Sequence, residues 1–277
     1  MKNVPTIREL LAQKEVLVGA GQYIPHYDYS GLLASAGFDF IFLDAEHGNR
    51  GIESLAACIN AANVYGVPVI ARAMDKTQGD IEQLLDVGAS GVMMPAVETV
   101  EDAELLVRSA RFGPKGDRGW NPMTRWNDYT MSPATIRETD TSIFVAALIE
   151  TPLGHENLDD ILAVDGIDAV MAGPGDLAVK MGAPLGGPET MELVFNAYTK
   201  ILAAGKIAWS GGGAGAKAGA QHVSAGCRMI NGFSDGYMFP YSRGLLNELQ
   251  AELVAQGLTS TDPAGAPMGL VDAYGRG

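Results

Sequence analysis

Cysteine is nearly absent. Cys58 and Cys227 are the only two in 277 residues, too few for a disulfide framework, and neither lies in a metal-type spacing. Basic residues are scarce as well: 19 Lys and Arg face 33 Asp and Glu, for a formal net charge of −14. That balance argues against a broad basic footprint for nucleic acid or anionic lipid. No apolar run approaches the ~18 residues of a membrane span. The opening MKNVPTIRELLAQKE carries charges where a secretory signal has its apolar core. These absences predict a soluble cytoplasmic protein with no nucleic-acid or membrane partner.

What is present is a rhythm. Short apolar β-type runs alternate with amphipathic runs: VLVGAGQY, FDFIFLDA, VPVIARAM, GVMMPAV, IFVAALIET, IDAVMAG, KIAWS and RMINGFS each precede a helix-like stretch. A Gly-, Pro- and Trp-containing connection from Gly113 to Ser142 interrupts the pattern once. Eight strand-then-helix units over this length predict a single-domain (β/α)8 TIM barrel over residues 1–258. Residues 259–277 form a Gly/Pro/Ala-rich tail. A doubly wound open sheet is the alternative, but these strands read as buried on both faces, with none suited to an edge.

In a barrel, reactive residues gather where strands end and βα loops begin. The second strand ends in Asp44, Glu46 and His47, the third carries Arg72, the fifth ends in Glu150, and the sixth runs into GPGDL with Asp176. Each has a bland reading: Asp44, Glu150 and Asp176 as caps, His47 as a loop histidine, Arg72 as half of a structural ion pair. Taken together, those readings require five coincidences at one rim. Glu150 and Asp176, on adjacent strands, suit a hard divalent cation such as Mg²⁺ or Mn²⁺, with Co²⁺ an acceptable substitute. Zinc would want His or Cys in a spacing this chain lacks. A 2-oxo acid could chelate such a metal, with Arg72 beside the developing enolate oxygen and His47 moving protons. Asp44 is expected to orient the imidazole, and the Gly175 and Asp176 N–H groups to hold the substrate carboxylate. No lysine falls mid-strand, so imine chemistry is disfavoured. The run GGGAGAKAG reads as a βα loop with at most a weak anion role.

The segments LDAEHG, PVIAR, GASGVMMPAVET, LIETPLGHENLDDIL and GIDAVMAGPGDL together resemble the HpcH/HpaI aldolases, the metal-dependent class II pyruvate aldolases such as 4-hydroxy-2-oxoheptanedioate aldolase. The resemblance runs most strongly from Gly37 to Asp176. It implies His47 as catalytic base, Arg72 as enolate stabiliser, Glu150 and Asp176 as metal ligands, and Gly175 and Asp176 at the pyruvate end of the substrate. Asp86 matches a position that raises the basicity of the histidine, often from a neighbouring subunit. A hexamer built as a trimer of dimers, with terminal helices exchanged, is also implied. The implied activity is reversible cleavage of 4-hydroxy-2-oxo acids to pyruvate, or hydroxypyruvate, and an aldehyde through a metal-stabilised enolate. The alternatives are a related decarboxylase or CoA-thioester lyase, and a non-catalytic 2-oxo-acid-binding barrel. Three departures stand out: Leu148 replaces a common glutamine, Arg118-Gly119-Trp120-Asn121-Pro122 replaces R-G-x-G, and a tryptophan after the first strand is missing.

Overall fold

The computed structural model describes residues 4–47, 51–129, 136, 140–211 and 215–258. Its strands are β1 (Leu17–Gln22), β2 (Phe40–Asp44), β3 (Val69–Arg72), β4 (Gly91–Met94), β5 (Phe144–Ile149), β6 (Ala169–Ala172), β7 (Ile207–Ser210) and β8 (Met229–Phe233). All pair in parallel, and β8 returns to β1, so the sheet closes into an eight-stranded barrel. The open-sheet alternative is thereby excluded.

Strand alternation sorts the side chains. Leu17, Phe40, Phe42, Ile70, Met93, Phe144, Ala146, Leu148, Met171, Trp209 and Met229 pack together inside the barrel, while their odd-numbered or even-numbered neighbours face the helices. Large residues need small ones opposite. The Phe40 ring occupies the space a Cβ at Gly19 would take, at 2.4 Å, and Trp209 lies edge-on to both Phe40 and Phe42. The indole N–H of Trp209 donates to Asn231 Oδ1 at 2.6 Å, which satisfies the one polar atom of that ring. The inward stripes of β2, β3 and β5 end, at the C-terminal rim, in Asp44, Arg72 and Glu150.

The other end of the barrel is plugged by α1 (Ile7–Gln13), an element the strand-helix rhythm did not reveal. Thr6 and Glu9 form a capping box at its start, and Ile7 and Leu11 insert into the barrel floor. Arg8 ties the plug to Asp168, just before β6, with Nη2–Oδ2 at 2.6 Å. Around the sheet follow α2 (Tyr27–Ser35), α3 (Ile52–Val64), α4 (Gln78–Asp86) and α5 (Val100–Ala110), then the short α6 (Pro152–Glu156) and α7 (Leu158–Leu162). Beyond β6 the single expected helix is two, α8 (Pro174–Met181) and α9 (Pro188–Ala203), because GPGDL opens a helix of its own. α10 (Ala216–Ser224) precedes β8, and α11 (Ser234–Ala255) follows β8 directly. Gly236, Pro240 and Gly244 conceal its first turns from a propensity reading. Residues 212–214 of the glycine run and the tail 259–277 lie outside the described residues.

Because a Cβ at Gly19 collides with the Phe40 ring, Gly19→Ala should destabilise the barrel by about 1–3 kcal/mol, the usual range for overpacking a core. Urea unfolding measures this directly.

Candidate active site

At the C-terminal rim a fully buried carboxylate meets a buried guanidinium. β2 and β3 pair with Asp44 opposite Arg72. Arg72 donates from Nε to Asp44 Oδ1 at 2.9 Å and from Nη2 to Oδ2 at 2.7 Å, a bidentate fork. The same carboxylate accepts backbone N–H groups from Glu46 (2.8 Å) and His47 (3.3 Å to Oδ2), so it also shapes the turn after β2. Burial pulls the Arg72 pKa down, but the hydrogen bonds and charge of Asp44, with Glu46 behind, outweigh it and leave the group raised. The guanidinium is locked positive over the Phe42 ring, 5.7 Å from its centre.

This corrects one expectation. Asp44 orients Arg72 and the turn, whereas the imidazole of His47 is exposed and faces Glu46, with Nε2–Oε2 at 3.8 Å. Glu46 Oε2 also lies 3.0 Å from Arg72 Nη1. That contact is an ion pair whose direction misses hydrogen-bond geometry, so the oxygen is buried without a hydrogen bond. Glu46 therefore belongs to the site, between the guanidinium and the histidine.

Glu150 follows β5 directly. Its Oε1 accepts the Ala96 N–H at 3.1 Å, and its Oε2 lies against the chain at Gly173, where a Cβ would come within 3.4 Å. Gly173 is the N-cap of α8, and Asp176 stands in that helix's first turn. Burial first, then the charge of Asp176, push Glu150 up to about 7, with Arg72 opposing and Glu46 adding. A buried carboxyl raised by a neighbouring carboxylate holds either a proton or a cation. A hard divalent cation fits here: Glu150 and Asp176 would hold it, with Glu46 Oε2 nearby. Among the described residues no group of three or more His, Cys, Asp or Glu side chains is arranged to hold a metal. A two-carboxylate site leaves its other positions to water and substrate. Asp176 is not a helix cap, and Gly175 has open space beside its Cα.

The sequence reading missed the support behind Glu150. Ala96 adopts a left-handed backbone, φ 44°, unfavourable for a residue with a Cβ. Lys76 clasps that loop, with Nζ 3.1 Å from the Ala96 carbonyl and 2.9 Å from Asp102. Only the position of Lys76, four residues beyond Arg72, hinted at a role. Asp86 falls elsewhere: it ends α4, at the opposite end of the barrel from His47, and pairs with Arg118 at 2.8 Å. Within one chain it does not reach the rim.

Residues 28–211 match the model of the HpcH/HpaI aldolase/citrate lyase family. The chain belongs to that family. The 4-hydroxy-2-oxovalerate aldolase of Novosphingobium aromaticivorans is 31% identical over 265 residues, covering 92% of this chain and 98% of that one. The 2-keto-3-deoxy-L-rhamnonate aldolase of Escherichia coli (strain K12) is 30% identical, covering 73% of this chain and 76% of its own. Among solved structures, the HpcH/HpaI aldolase from Desulfitobacterium hafniense DCB-2 superposes with a TM-score of 0.82 at 25% identity, covering 95% of this chain and 99% of that one.

The raised Glu150 makes the metal-free protein pH-sensitive. A carboxyl with a raised folded pKa stabilises fully below its unfolded value, about 4.3, and that contribution is lost as pH rises through about 7. Glu150→Gln removes the titration. The metal-free variant should therefore gain on its parent between pH 4.5 and 7.5 by on the order of 3 kcal/mol, read from denaturant unfolding across that range.

Proposed function

We propose that this HpcH/HpaI-family enzyme is a divalent-metal-dependent aldolase that reversibly cleaves 4-hydroxy-2-oxo acids to pyruvate, or hydroxypyruvate, and an aldehyde. The observation that carries the reading is the permanently charged, carboxylate-clamped Arg72 facing a buried Glu150 poised near neutrality, with His47 at the same rim. The relatives' names support it, since both denote enzymes acting on 2-oxo acids.

Mg²⁺ or Mn²⁺, with Co²⁺ as a substitute, would be held by Glu150 and Asp176 and would supply Lewis acidity toward the oxygens of the 2-oxo acid. In the cleavage direction His47 takes the proton of the C4 hydroxyl, directly or through one water. The C3–C4 bond breaks, its electron pair passing to C3 and forming the enolate as the aldehyde carbonyl closes. Arg72 places fixed positive charge beside the enolate oxygen and needs no reorganisation to do so, because Asp44 holds it. Glu46, against both His47 and Arg72, steadies the imidazole. Protonation at C3 gives pyruvate. The N–H groups of Gly175 and Asp176 in the first turn of α8 have no intrahelical partners and suit the substrate carboxylate.

The assembly is proposed to be a homo-oligomer, a hexamer built from dimers. Its support is α11, where Tyr237, Tyr241, Leu245 and Leu249 recur every four residues and are all exposed, a contiguous apolar stripe of the kind that marks an association surface. Asp86 would then act on His47 only across a subunit boundary. No helix among the described residues is long and apolar enough to cross a membrane. The buried free thiols of Cys58 and Cys227 suit a cytoplasmic location.

With pyruvate and Mn²⁺ in D₂O, the methyl signal should exchange, EDTA should abolish exchange, and His47→Asn should slow it by about 100-fold or more. A non-catalytic binding barrel would show no exchange in the parent protein. Leu245→Glu combined with Leu249→Glu should lower the mass seen by light scattering, while a monomeric parent would be unmoved.

A further inference from the structure

The donor half of the site stands on β3, β5 and β6, but the loop after β1 also enters the barrel mouth. β1 points Leu17, Gly19 and Gly21 inward, and continuing that alternation turns Tyr23 inward as well. The Tyr23 ring packs on the barrel-interior cluster and meets Phe42 edge-on, 6.4 Å between centres. A Cβ on Gly21 would touch the same ring at 3.1 Å. Gly21 therefore leaves room on the inner wall, and Tyr23 folds back to fill it. Phe42 is also the ring beneath the Arg72 guanidinium, so Tyr23 and Arg72 flank one aromatic surface.

The loop is fastened from the far end of the chain. Asp235, in the first turn of α11, accepts the backbone N–H of Tyr23 at 2.5 Å and of Ile24 at 2.6 Å. Two consecutive amides on one carboxylate fix the peptide planes on either side of residue 23, and with them the direction of its side chain. The β1–α2 loop is thus latched to the start of the last helix.

We infer that Tyr23 is a specificity-determining residue: its ring closes the β8–β1–β2 side of the mouth and limits the aldehyde to short chains, with Asp235 as its positioning residue. This rests on the aldolase reading above. In that reading the C4 hydroxyl lies beside His47, just after β2, while the donor spans the gap from Glu150 and Asp176 to Arg72. In a closed eight-stranded ring, β5 and β6 stand across the mouth from β1 and β2. The rest of the aldehyde, attached at C4, extends away from the donor carboxylate and toward β1. The wall it meets there is the Tyr23 ring.

The test compares kcat/KM for aldol addition of pyruvate to acetaldehyde and to benzaldehyde, with Mn²⁺, for the parent, Tyr23→Phe, Tyr23→Leu and Tyr23→Ala. Methyl exchange of pyruvate alone is run on every variant to show that the donor side is assembled. The parent should favour acetaldehyde. Tyr23→Ala should move the ratio toward benzaldehyde by about 10-fold or more, the scale on which pocket shape discriminates, and Tyr23→Leu by less. Tyr23→Phe keeps the ring and should keep the ratio within twofold. Asp235→Ala should shift it in the same direction as Tyr23→Ala, mainly through the KM for aldehyde, and Asp235→Asn should shift it less. An unchanged ratio in exchange-competent Tyr23→Leu and Tyr23→Ala overturns the inference. So does a Tyr23→Phe shift as large as that of Tyr23→Ala, because the hydroxyl would then be the determinant. A parent that shows no metal-dependent exchange overturns the aldolase reading itself.

Discussion

The Asp44–Arg72 pair is the interaction on which the rim depends. Both groups are withdrawn from water, the carboxylate completely and the guanidinium nearly so. A buried ion pair is a poor source of net stability, since desolvation cancels most of its attraction. Its value lies in position. The bidentate fork fixes the guanidinium plane, and the same carboxylate gathers the amides of Glu46 and His47. One side chain therefore sets both the guanidinium at the rim and the turn that carries His47. Removing Asp44 would leave the buried guanidinium with the Glu46 contact alone and release the turn at once. The pairing is made possible by strand register, which places residues 44 and 72 opposite each other at the last rung of β2 and β3.

Charge balance explains the rest of the rim. Arg72 is flanked by Asp44 and Glu46, and it only partly offsets the burial and repulsion that raise Glu150. Asp44 uses up most of that cation's neutralising capacity. The corner formed by Glu150 and Asp176 is consequently short of positive charge, and a divalent cation together with an anionic substrate is the combination that restores balance. The chain's formal −14 has little bearing on this, because the local arrangement decides the sign a substrate meets. The Lys76–Ala96–Glu150 relay belongs to the same problem: a buried carboxylate that must keep one orientation in both charge states is held by a peptide N–H, whose own strained conformation is clasped by a lysine.

Much of this was legible from sequence because barrel strands have period 2. Apolar runs that end in a charged residue announce the rim, and Asp44, Arg72 and Glu150 all fall on inward stripes of such runs. Fold class followed from the same alternation. Other features had no local signal. The α1 plug offers the interior Ile7, Leu11 and the partly buried Leu10, a single i, i+3, i+4 set too short to stand out as a helical pattern. Asp44 was expected at the imidazole and Glu46 was given no partner, since sequence adjacency cannot say that a carboxylate turns to the next strand and not to the imidazole three residues away. Asp86 sits at a helix end whose partner within the chain is Arg118, and nothing in the sequence places it at either face. Tyr23 was readable in principle: the inward stripe of Leu17, Gly19 and Gly21 points to it, but the stripe lies partly on glycines and so carries no hydrophobic signal.

The two halves of the mouth are also built differently. Arg72 and Asp44 lie within strands, and Glu150 is one residue past its strand and packed against Gly173. These groups share the rigidity of the closed sheet, as chemistry that tolerates little displacement requires. Tyr23 and His47 stand on turns beyond β1 and β2, and the β1 turn is held by a carboxylate from α11, the helix with the exposed apolar stripe. Loops tolerate substitution where strands do not. A scaffold divided in this way can keep the charges of the rim fixed while the loop side of the mouth accepts substitution. The departures from the family pattern agree with that division: the missing tryptophan after β1 falls on the loop side, while the carboxylates and the arginine are intact. Leu148, on the inward stripe before Glu150, is the exception, because it places an apolar side chain in the rigid half.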